Sequence, residues 1–144
     1  MSIEFTFNLR DFERSIEQAA SAVIEGTVKG VEDALEYWQL TATNLAPIGR
    51  YKNRRGGNLR ARIDHTTPKV GDGVVTGSVV ANAFNNGFNY AYYLHNVASA
   101  KGAEARTPGT VLDFLEKSKK DGESRMQRLI EDAIKAELSR KGMT

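Results

Sequence analysis

Apolar residues recur at three- and four-residue steps over the first third of the chain. Phe12, Ile16, Ala19, Ala20, Val23, Val31, Leu35 and Trp38 would share one face of a helix, with Asn8 or Asp11 as its N-cap. This predicts an amphipathic helix over about 11–44. Ala46-Pro47 ends it, because proline lacks an amide donor and pushes its predecessor out of the helical region. Such a helix is about 50 Å long at roughly 1.5 Å per residue. A domain of this size is narrower, so either Gly26 and Gly30 bend the helix or one end projects past its own core.

The pattern then changes. Residues 47–58 have no period, and their glycine, lysine and arginine predict an exposed basic loop. From Leu59, apolar Leu59, Ala61 and Ile63 alternate with Arg60, Arg62 and Asp64, the period of a half-buried strand with a basic outer face. Gly71-Asp72-Gly73 reads as a turn into the β-branched run from Val74 to Val80. Residues 59–67 and 74–82 are therefore expected to form an antiparallel hairpin. A second turn region covers 83–89, and Tyr90-Ala91-Tyr92-Tyr93-Leu94-His95 reads as a short aromatic strand or a strand running into a turn. Alternation would then put Tyr90 and Tyr92 on the opposite face from Tyr93.

The small, polar stretch 97–106 predicts a mobile loop. Thr107 and Pro108 have the chemistry of an N-cap and first helical residue for a helix carrying Val111, Leu112, Phe114 and Leu115, with Asp121-Gly122 as an interruption. Met126, Leu129, Ile130, Ala133, Ile134 and Leu138 then form an apolar stripe, predicting a closing amphipathic helix over about 123–140. Helix, strands and helix in that order make an α+β layout, here a single domain over 1–144 with exposed loops near 47–58 and 97–106.

Composition narrows the chemistry. The 144 residues contain no cysteine, which excludes disulfides, thiolate nucleophiles, cysteine zinc sites and iron–sulfur clusters. His65 and His95 lie far apart in sequence, with no His-Glu-x-x-His helix beside them, so no metal site is expected. Ser78 lacks the Gly-x-Ser-x-Gly elbow of a serine nucleophile, and Gly71-Asp72-Gly73 lacks the lysine and following helix of a phosphate loop. The expectation is a noncatalytic protein without cofactor. No apolar run is long enough to span a membrane, and Met1-Ser2-Ile3-Glu4 lacks the basic start of a signal peptide, so synthesis in the cytoplasm is expected.

Charge changes the picture most. Residues 1–45 carry three basic and eight acidic side chains, a net −5. Arg50, Lys52, Arg54, Arg55, Arg60 and Arg62 place +6 on the next segment without a carboxylate. Such poles favour another copy of the chain or a polyanion as partner. The basic run has one interleaved aromatic, Tyr51, and could neutralise phosphates, which keeps a small nucleic-acid-binding protein as the alternative reading. Exposed tyrosines are common interface anchors, so Tyr90, Tyr92, Tyr93 and His95 are candidate interface residues.

In order, a long helix ending in Leu45-Ala46-Pro47, a Gly57-Asn58-Leu59-Arg60 opening to a hairpin, the Tyr90–His95 segment and Phe114-Leu115 opening the last helix form a pattern. It resembles the small neck proteins of tailed bacteriophages and prophages, called head–tail joining, tail-completion or minor capsid proteins. The chain departs from that family in its longer basic loop, Ile48 to Gly56, and in having His95-Asn96 where the family often continues toward a glutamate. The resemblance implies helices packed on a small, curved, mainly antiparallel sheet, no enzymatic activity, and a homo-oligomeric ring in the virion neck between portal or connector and tail proteins. A head-to-tail ring needs two different complementary patches, which the −5 and +6 segments supply. Arg54 and Arg55 would then face either a neighbour's first helix or DNA in the lumen.

Overall fold

The computed structural model describes residues 1–8, 20–48, 58–85 and 87–142. It is an α+β fold in which one long helix lies on a small, open antiparallel sheet and a second long helix packs along the first. The chain runs β1 (Ser2–Asn8), α1 (Ala20–Leu45), α2 (Asn58–Ala61), β2 (Ile63–His65), β3 (Lys69–Gly71), β4 (Val74–Ala81), β5 (Phe84–Asn85), β6 (Phe88–Asn89), α3 (Tyr90–Tyr92), a π-helical segment (Tyr93–Ala98) and α4 (Phe114–Arg140).

β4 is the spine of the sheet. β1 pairs along one side of it, Ser2 opposite Val80 and Asn8 opposite Val74. β2 and β3 share the other side, and all the pairings are antiparallel. The register slips by one residue between them: His65 faces Val79, but Lys69 faces Thr76. Thr66-Thr67-Pro68 absorbs the extra residue as a bulge. Thr66 holds the join, donating its amide to Ser78 O at 2.9 Å and accepting the Ser78 amide on its hydroxyl at 2.9 Å. The β3–β4 turn has Asp72 at φ 51° and Gly73 at φ 76°, the left-handed pair of a tight type I′ hairpin.

On β4, Val75, Gly77, Val79 and Ala81 are buried and the residues between them half-buried, so one face of the sheet carries the core. α1 lies on that face and seats Leu35 over Gly77, whose missing side chain makes the room. α4 runs antiparallel along α1, and the helix pair forms the largest contact in the fold. Trp38, Leu35, Phe114, Leu115, Met126, Ile130 and Ile134 are fully buried between these layers.

Several expectations change. β1 is an element with no counterpart in the predicted order, although Ile3, Phe5 and Phe7 alternate with exposed Ser2, Glu4 and Thr6. The first helix ends at Leu45 as expected, and its predicted start at 11–19 lies outside the described residues. α1 runs unbroken through Gly26 and Gly30, which let α4 approach. Asn58–Ala61 form a helical turn, so the strand expected from 59 begins only at Ile63. The Tyr90–His95 segment is helical rather than extended, because the Asn89 side chain accepts the Tyr92 amide and starts a helix there. That helix continues to Ala98, shortening the loop expected over 97–106. Thr107-Pro108-Gly109 forms a turn with Gly109 at φ 76°, and the last helix starts later, at Phe114. Asp121-Gly122 does not break it, because Gly122 lies against the Tyr37 ring and is buried in the helix–helix contact.

Candidate interaction surface

A cluster of exposed aromatic rings occupies one short stretch of chain, the β5–β6 hairpin and the helix that follows. Phe84 is 63% exposed, Phe88 55%, Tyr92 52% and Tyr93 40%. Phe88 and Tyr93 pack on one another with ring centroids 5.7 Å apart and planes tilted by 53°. In the two-residue ladder Phe84 faces Asn89 and Asn85 faces Phe88, so Phe84 and Phe88 occupy opposite faces of the hairpin. Gly87, at φ 79°, permits the tight return between them.

The base of this unit is firmly bonded. Asn89 accepts the amides of Ala83 and Tyr92, each at 3.3 Å, and donates to Asn82 Oδ1 at 3.0 Å. The Tyr90 amide donates to Ala83 O, and the Tyr90 hydroxyl accepts from Asn58 on α2 at 3.1 Å. Ala91 is fully buried. His95 is 6% exposed; its ring stands edge-on to Phe114 at 5.3 Å, and Nε2 lies 3.4 Å from the Glu116 amide in the first turn of α4. As acceptor there, Nε2 occupies one of the donors that a helix N-terminus leaves unpaired, a position the Asp113 side chain does not fill. Of the four candidates, Tyr92 and Tyr93 reach solvent, whereas Tyr90 and His95 tie the unit to α2 and α4. Phe84 and Phe88 belong with the exposed pair, and the signal for them is the turn-forming sequence Asn85-Asn86-Gly87 between two aromatics.

The basic run divides as well. Arg50, Lys52, Arg54 and Arg55 lie outside the described residues. Arg60 is half-buried and does not lie on a strand: its Nε donates to Ala46 O at 2.8 Å and its Nη2 to Asn44 O at 3.1 Å. It caps the C-terminus of α1, a helix with no basic residue in its own last turn, and its charge opposes the partial negative charge there. Arg62 is exposed. Of the first-helix carboxylates, Glu25 pairs with Lys141 at 2.9 Å, while Glu32 and Glu36 face solvent.

A groove of about 780 Å³ lies between the exit of α1, the π-helical segment and the 103–112 stretch. It is lined by Pro47, Ile48, Leu94, Ala98 and Leu112 among others, with Glu104 and Arg106 as its charged members. Thr107 closes one side, its hydroxyl accepting the Ile48 amide at 3.2 Å and donating to Ile48 O at 3.1 Å. Among the described residues, no three His, Asp or Glu side chains gather as a metal site, and no helix is long and apolar enough to cross a membrane. No protein-family model matches the chain, and no curated protein or solved structure matches it.

Proposed function

We propose that this chain is a noncatalytic structural protein of a tailed-phage or prophage virion, joining head to tail or completing the tail as a ring at the neck. The observation that carries an interaction role is the exposed aromatic unit from Phe84 to Tyr93, whose rings are 40–63% exposed above a fully bonded base. Aromatic side chains on a rigid support supply interface area at little entropic cost, and such residues recur as interface hot spots. The Leu45-Ala46-Pro47, Asn58-Leu59-Arg60, Tyr90–His95 and Phe114-Leu115 likeness to neck proteins supplies the setting. The opposite charges of residues 1–45 and 50–62 suit head-to-tail contacts between copies. Portal or connector proteins on one side and tail proteins on the other are the partners, and the site of action is the virion.

Deletion of the gene from its phage or prophage tests the reading, with particles imaged after induction. The expected result is an accumulation of filled heads and free tails that do not join, rescued by the wild-type chain and poorly by a Phe88→Ala, Tyr93→Ala variant. Normal particles from the deletion, or a locus without morphogenesis genes, would sink it. Nucleic-acid binding is the competing outcome. It requires DNA affinity at low salt that falls steeply as salt rises, and loses that affinity in Arg54→Ala and Arg55→Ala.

A further inference from the structure

The two edges of the sheet are unequal. In an antiparallel strand the N–H and C=O of one residue point to the same side. Met1 O accepts the Ala81 amide of β4, while Glu4 O points away from β4 and accepts from Lys119 Nζ at 2.8 Å. Residues 3, 5 and 7 therefore bond to β4, and Ser2, Glu4, Thr6 and Asn8 turn their backbone groups outward. Among the described residues, the Ser2 and Thr6 backbones and the Glu4 amide have no partner on that side, and Lys119 is the one side chain that reaches it.

The opposite edge is interrupted, and a side chain from α1 and one of its own occupy part of it. Gln39 Nε2 donates to Ile63 O at 3.0 Å, and the Asp64 carboxylate accepts the His65 amide at 2.8 Å. The bulge then breaks the register and Pro68 offers no amide, both devices that stop an edge from templating another strand. A sheet with one continuous and one interrupted edge is poorly suited to propagating head to tail through its edges. Its closed, symmetric use is edge to like edge about a two-fold axis.

We infer that β1 pairs antiparallel with β1 of a second copy, joining the two sheets into one. Outward residues must face outward residues, which leaves few registers. Glu4 opposite Glu4 sets like charges against each other, and Thr6 opposite Thr6 leaves Ser2 beyond the partner strand. Glu4 opposite Thr6 pairs the whole of Ser2–Asn8 and brings half-buried Phe5 against its own copy at a non-hydrogen-bonded position, where side chains approach most closely. Lys119 is the lock on this edge, because Glu4 O must release it to accept the partner's Thr6 amide. This pairing does not rest on the neck reading and uses none of the aromatic unit.

Sedimentation of the full chain over a concentration series tests it, with the expected result a monomer–dimer equilibrium. Thr6→Pro removes an amide that makes no bond within the monomer, so far-UV circular dichroism should be retained while dimerisation weakens at least about tenfold. Lys119→Met should tighten it. The chain has no cysteine of its own, so Phe5→Cys should give a disulfide-linked dimer on mild oxidation and Glu4→Cys should not. A wild-type chain that stays monomeric throughout, a folded Thr6→Pro variant that dimerises as before, or cross-linking through Glu4→Cys but not Phe5→Cys overturns the inference.

Discussion

Gly30 sits against Ile130 so closely that a Cβ added to the glycine would lie 2.6 Å from the Ile130 Cα. One turn earlier, a Cβ on Gly26 would lie 2.8 Å from the Ile134 Cα. The two glycines form a notch on α1 into which the backbone of α4 settles, and the atoms they meet belong to a main chain that no side-chain rotation can move aside.

Gly30→Ala therefore sets two effects against each other. Alanine favours the helix by about 1 kcal/mol, but separating two packed helices costs about 1–3 kcal/mol or more, and the contact is with backbone. Net destabilisation is expected, read as a lowered urea midpoint. Gly71→Ala is the control, since nothing lies within 4 Å of a Cβ at Gly71 and its φ is not positive; its midpoint should not fall.

Trp38 ties the same two helices from the other end of the contact. Its indole N–H donates to Leu115 O and to Ser118 Oγ, both at 3.0 Å, in a fully buried setting. Trp38→Phe removes that donor and opens a void, for an expected loss of about 2–4 kcal/mol. Ser118→Ala should cost about 1 kcal/mol, because the Ser118 hydroxyl hydrogen already serves its own helix through Phe114 O at 2.6 Å, and Trp38 keeps Leu115 O. Denaturation of the double variant should show the two losses to be less than additive.

These contacts mark where sequence alone stops. The apolar stripes of α1 and α4 and the Gly71-Asp72-Gly73 turn are local signals: α1 ends at Leu45, α4 includes the whole of the expected 123–140 stripe, and the turn joins β3 to β4. Gly26, Gly30 and Gly122 look like helix breakers in one dimension, yet their role is set by Ile134, Ile130 and Tyr37, residues distant in the chain. Tyr90-Ala91-Tyr92-Tyr93 has strand propensity, but the single Asn89 cap outweighs it. Tyr92 and Tyr93 could be picked out as candidate anchors. His95 reads in sequence as either a structural or an interface histidine, and what makes it structural is the start of α4 folding back beside it.

Arg60 and Arg62 are two residues apart in one basic run and should behave differently. Arg60→Ala uncaps α1 by removing two charge-assisted bonds to Ala46 O and Asn44 O, an expected loss of about 1–2 kcal/mol. Arg60→Lys should recover only part of it, because an ammonium cannot match the guanidinium fork. Arg62→Ala, at an exposed position, should stay within about 0.5 kcal/mol of wild type. Thermal melts of the three variants separate them. A loss of assembly in Arg60→Ala must accordingly be compared at equal fraction folded before it is ascribed to a partner contact.

The far end of the helix pair carries the charge network that makes stability depend on pH. Arg140, hydrogen-bonded to Glu137 through Nε and Nη2, holds the Glu137 carboxyl below its ordinary value of 4.5; partial desolvation works against that shift, while the Arg140 charge, Glu25 and Lys141 reinforce it. A carboxyl whose value is depressed in the folded state binds fewer protons there than in the unfolded chain. Its contribution is complete above the ordinary value and is lost as pH falls through the lower, folded one. Glu137→Gln should therefore lower the urea midpoint near neutral pH, and the gap between variant and wild type should close as pH falls through the lowered, folded value. Because its main partner Arg140 is exposed, the neutral-pH gap should be small and should shrink further in high salt. A gap that persists unchanged in acid would mean that Glu137 acts through packing on α4 and not through its charge.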